Sequence, residues 1–172
     1  MTMRRVLVAV SGLLLTEFLQ RTLGQLDWAD AELVLLHVVD TRPLREFGLV
    51  ARALPARARE AAARAREMGA LGAEAGQRML KDAETLAVAH LPPGTAIRRV
   101  QRTGVPDQEI IAAAHEVAAS LIVLGAAEEP PPPEPQHPSP ASKFPRRHLS
   151  PVVRFVVDHA PCDVLLLYAG PG

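Results

Sequence analysis

The residues best suited to chemistry stand just before one helix start. Arg146, Arg147 and His148 precede Leu149, Ser150 and Pro151. Ser150 is a good N-cap and Pro151 a good first-turn residue. The amides at such a start are free of intrahelical partners, and with two arginines beside them they make a workable anion site. A plainer reading fits the same residues: Ser-Pro only begins a helix and the arginines are solvated. The choice depends on what the fold places opposite that helix.

Other reactive side chains lack partners in the pattern. Cys162 is the only cysteine, which excludes an internal disulfide framework and fits a reducing compartment. It reads as a partly buried turn residue. The six histidines are scattered and form no zinc signature. His37 falls inside an apolar run and reads as a packed or hydrogen-bonded side chain. Ser11 follows an apolar run, but "VAVSG" lacks the glycine pattern of a nucleophile elbow. No catalytic residue is assigned.

Composition narrows the classes further. The 172 residues carry 19 basic and 19 acidic side chains, with aromatics at 3%. A balanced charge and few stacking platforms speak against nucleic acid as a partner. No apolar run reaches membrane-spanning length, so no membrane partner is expected. "MTMRRVLVAVSGLLL" starts like a leader but shows no small-residue cleavage signal and breaks at Thr16 and Glu17. The expected location is cytoplasmic.

Those residues need elements to hold them. Arg5 to Val10 and Ala31 to Asp40 are short apolar runs that read as buried strands, as does "SLIVLG" from Ser120 to Gly125. Thr95 to Gly104 is more charged and reads as an edge strand. Asp163 to Tyr168 is the last strand. Between them, helical spacing covers Leu13 to Leu26, a long Ala- and Arg-rich stretch from Leu49 to His90, and the residues after Pro106. In the last of these, Ile110, Ile111, Ala114, Val117 and Ala118 supply the buried stripe. A further helix covers Ser150 to His159. Gly69, Gly72 and Gly76 interrupt the long stretch, so a bend or two helices are expected there. The proline-rich insert at about residues 128–144 is expected as an exposed, poorly ordered loop.

Strands that alternate with helices predict one domain over residues 1–172, a three-layer α/β sandwich with a parallel sheet. Ligands of such folds bind beyond the carboxyl ends of the strands, where strand order reverses. Those ends are Ser11-Gly12, Val39-Asp40 and Gly125-Ala126.

Several stretches together resemble the universal stress protein family. They are "RRVLVAVSG", "AELVLLHVVD", "GVPDQEIIAAAHEVAASLIVLG" and "LSPVVRFVVDHAPCDVLLL". The resemblance implies a five-stranded sheet in the order 3-2-1-4-5, the adenine nucleotide alpha hydrolase-like fold. It also implies pairing of two subunits through the last strand, Asp163 to Tyr168. Members that bind ATP end strand one with an acidic residue and wrap the phosphates with a glycine-rich stretch after strand four. Here the acidic position is Ser11. The first glycine, Gly125, is kept, the second is Glu128, and the closing Gly-Ser pair falls on Ser150-Pro151. Proline withholds a donor and Glu128 carries the wrong charge, so ordinary ATP binding is expected to be weak or lost.

Two functions stay open. One is a regulatory or structural module with no cofactor, acting as a homodimer or by docking an unidentified protein partner. The other is a sensor for ATP or another adenine nucleotide with a modified phosphate site made by Ser11, Val39, Gly125, Arg146, Arg147 and Ser150. A different enzyme on the same scaffold has no residue constellation to support it.

Overall fold

A computed structural model of the protein describes residues 3–11, 15–43, 58–126 and 149–168. Five strands and four helices alternate along them. They are β1 (Arg4–Ala9), α1 (Leu15–Gln25), β2 (Ala31–Asp40), α2 (Ala58–His90), β3 (Ala96–Gly104), α3 (Pro106–Glu116), β4 (Leu121–Ala126), α4 (Pro151–His159) and β5 (Asp163–Tyr168). All neighbouring strands are parallel, in the order β3-β2-β1-β4-β5. The architecture is the expected three-layer α/β sandwich, with β3 and β5 at the edges.

Alternation along the central strands builds two cores. Val6, Val8, Leu33, Leu35 and Val123 face α1 and α2, where Leu19, Leu80 and Ala83 meet them. Leu7, Val34, Leu36, Ile122 and Leu124 face α3 and α4 and meet Ile110, Ala114 and Val156. Strands covered on both faces need apolar residues at every position, hence the unbroken runs in the sequence.

Two expectations change. The glycines of the long helical stretch neither divide nor interrupt it: Ala58–His90 is one continuous helix of 33 residues. They thin its sheet-facing side instead. A Cβ on Gly76 would overlap the His37 ring, and one on Gly72 would lie 3.2 Å from Val39 Cγ1. Four helical residues rise about 6 Å, and two strand residues about 6.6 Å. Gly76 and Gly72 therefore step along α2 as His37 and Val39 step along β2, in the opposite sense. Ala118 likewise leaves the buried stripe expected for it. It lies beyond α3 with φ of 48°, exposed. The amide of Ala119 donates to Ala114 O and that of Ala118 to His115 O, the paired bonds that close a helix on a left-handed residue.

The proline-rich insert, Glu128, Arg146 and Arg147 lie outside the described residues.

Candidate functional site

Strand order reverses between β1 and β4, and there the carboxyl ends open into a cavity of about 220 Å³. Ser11 from the end of β1, Gly125 from β4 and Ser150 from the start of α4 all line it. Pro106 and Ile110 bring the first turn of α3 to the same space. Three of the six residues singled out in the sequence thus share one cavity. Val39 does not reach it. It is buried, 8% exposed, and lines a second cavity of about 330 Å³ between the end of β2 and α2. The pleat accounts for this, because Val39 points to the α2 face. His37 and Val38 line both cavities.

The start of α4 can be counted donor by donor. Pro151 has no N–H. Val153 donates to Ser150 Oγ at 3.3 Å, and Arg154 donates to Ser150 O at 3.0 Å. That leaves the amides of Ser150 and Val152 without partners among the described residues. Ser150 therefore caps its own helix, as the plainer reading had it, and the helix start has at most two further donors to offer. A single phosphate group suits two donors better than a polyphosphate does.

Gly125 is exposed and keeps ordinary backbone geometry. A Cβ there would sit 3.6 Å from Phe18 Cδ2, an ordinary van der Waals distance, so packing alone does not require glycine at this strand end. Asp40 ends β2 and lines the second cavity. Burial works to raise its pKa, but hydrogen bonds and charge from Arg42 outweigh that and hold its carboxyl below the ordinary value. Arg42 grips it at 2.7–3.0 Å. Asp163, the first residue of β5, lies at the opposite end of the sheet and cannot replace an acid at position 11.

His37 is packed and hydrogen-bonded, as expected. Its Nδ1 lies 3.1 Å from Val10 O. Cys162 is half-buried in the turn before β5, and burial, then the Asp163 charge, push its thiol pKa up. An electroneutral, raised-pKa thiol is a poor nucleophile. Among the described residues no group of three or more His, Cys, Asp and Glu side chains could hold a metal ion. No helix of those residues is long and apolar enough to cross a membrane.

Sequence reasoning missed the pairing of Gly72 and Gly76 with Val39 and His37. Its signal was present as matched spacing, four on a helix against two on a strand, but nothing in one sequence says which strand the helix crosses.

No curated protein sequence matches the chain. Solved structures do, at low identity. A universal stress protein from Lactobacillus plantarum is 20% identical with a TM-score of 0.58, over 97% of this chain and 99% of that one. A universal stress protein family member from Arabidopsis thaliana, solved with AMP bound, is 17% identical with a TM-score of 0.57, over 97% and 92%. One from Archaeoglobus fulgidus in complex with dAMP is 15% identical with a TM-score of 0.56, over 96% and 98%. At these identities the likeness establishes the fold. The family model for the universal stress protein family matches residues 2–167, nearly the full length, and with the sheet order it settles the relationship: the chain belongs to the universal stress protein family.

Proposed function

We propose that this protein is a regulatory module that senses an adenine mononucleotide, with the phosphate near Ser150 and Gly125 and the base toward Val39. The observation that carries the reading is the pair of adjoining cavities at the carboxyl edge, one at the Ser150 start of α4 and the other walled mostly by apolar side chains. Similar folds solved with AMP and dAMP support the ligand class. The mononucleotide is preferred over ATP for local reasons. Ser11 offers a hydroxyl where ATP-binding relatives carry an acid, and Pro151 removes one donor from the phosphate end. Arg146 and Arg147 belong to the same proposal as charge partners of the phosphate. The module works as a sensor.

The assembly we propose is a homodimer through Asp163 to Tyr168. Among the described residues β5 pairs only with β4, and Val164 to Leu167 give it apolar side chains. An edge strand of apolar residues is a liability, because its outward backbone groups can pair with another chain, and a symmetric partner removes it.

Thermal unfolding tests the ligand. AMP at a hundredfold excess over its Kd stabilises by about 2.7 kcal/mol, a shift of several degrees. Gly125→Leu should unfold near the wild-type temperature without ligand and lose most of the AMP shift. A wild-type protein whose melting temperature ignores millimolar AMP would contradict the proposal.

A further inference from the structure

We infer that His37 is the positioning residue of the carboxyl-edge site, coupling the seat of α2 on the sheet to the end of β1 and so to Ser11. The inference rests on the nucleotide reading only for the ligand used to test it.

Val10 O can only accept a hydrogen bond, so Nδ1 of His37 carries the proton and donates at 3.1 Å. Val10 is otherwise fixed by its own amide, which donates to Leu36 O at 2.8 Å. The next residue is Ser11, which lines the cavity at the switch point. The other edge of the ring rests on α2. A Cβ on Gly76 would lie 2.9 Å from Nε2, so the helix backbone itself is the seat of the imidazole. Nε2 has no hydrogen-bond partner among the described residues.

One ring is therefore a wall of both cavities and a strut between them. A base entering the β2–α2 cavity meets Val39 and His37 together. Any displacement of the imidazole there is passed through the Nδ1–H bond to Val10 O and moves the strand end that carries Ser11. Gly76 is required because any larger residue would push the ring off this line. This gives the glycine a role in the site although it lies across the helix from solvent.

The test uses the full chain, with nitrogen NMR of the imidazole, the Ser11 amide resonance, and AMP titration. Wild-type His37 should show the Nδ1–H tautomer at neutral pH. His37→Asn keeps a donor where Nδ1 stood, so the Ser11 amide should stay near its wild-type position, and AMP affinity should fall less than in His37→Leu. His37→Leu keeps comparable bulk without the donor. It should shift the Ser11 amide and weaken AMP about fivefold, the equivalent of one ordinary hydrogen bond. Gly76→Ala should shift Ser11 although it removes no group from either cavity. A role in packing alone would make Asn no better than Leu, and that result overturns the inference. So does an unmoved Ser11 amide in both His37→Leu and Gly76→Ala, or an Nε2–H tautomer. If His37→Leu fails to fold, the tautomer and the Gly76→Ala shift still decide. If wild type ignores AMP while Ser11 follows the substitutions, the nucleotide reading fails and the positioning role stands.

Discussion

The two ends of the sheet are built on opposite plans. At the amino end, Glu32 is 6% exposed and is held from both sides. Arg98 reaches it at 2.6 Å and Arg5 at 3.2 Å. Arg5 also donates to Val117 O at 3.2 Å, which ties the end of α3 to the sheet, and Ser120 donates to Arg5 O. The buried charge there is fully compensated. At the carboxyl end the chain does the reverse. It carries no side chains at Gly72, Gly76 and Gly125, leaves two helix-start amides without partners among the described residues, and keeps two cavities open. Charge pairing is concentrated at the amino end, and the carboxyl end keeps the space that a ligand requires.

Substitutions at each end should separate stability from binding. Glu32→Ala strips the common partner from Arg5 and Arg98. Both arginines keep access to water, so the loss should fall below that of a sealed pair, at roughly 2 kcal/mol. Urea denaturation reads this, and AMP affinity per folded molecule should not change. If Glu32→Ala weakened AMP binding in proportion to stability, the division between the ends would be false.

A smaller effect belongs to Ser150→Ala. It loses the cap on Val153 and should cost about 1 kcal/mol or somewhat less, because the bond is long at 3.3 Å. Unlike Glu32→Ala, it should also lower AMP affinity, since Ser150 lines the cavity. Equal AMP affinity in the two variants would remove Ser150 from the site.

The smallest change concerns the face between β3 and α2. Gln101 Nε2 donates to Ala73 O at 3.1 Å, while its Oε1 is buried with no partner among the described residues. Replacing both polar atoms with an apolar chain of similar shape removes that penalty along with the bond. Gln101→Met should therefore unfold within about 1 kcal/mol of wild type, on the stable side. A loss of several kcal/mol would show that Oε1 holds a partner of its own.

Much of this was legible from residue types. The apolar runs gave the central strands, and the charge of "AIRRVQRTG" gave an edge, because a side chain such as Arg99 must reach water or an acid. It pairs with Glu84 of α2 at 3.2 Å. Ser11, Gly125 and Ser150 meet in one cavity because strand ends and helix starts are local signals that the fold then gathers. The glycines of α2 were misread because a gap in a helix surface and a break in a helix look alike until the opposing strand is known. Ala118 was misread because helical spacing does not show where the helix stops, and a left-handed alanine is rare.

The central claim is that the carboxyl edge takes one phosphate on an adenine nucleoside. Calorimetric titration of the wild-type chain with AMP and with magnesium-ATP, in the same buffer, tests it most directly. The account predicts saturable AMP binding at one site per subunit, with ATP weaker by about tenfold or more, as expected when one charge-assisted contact is missing. Tighter binding of ATP than AMP, or no heat with either, would contradict it.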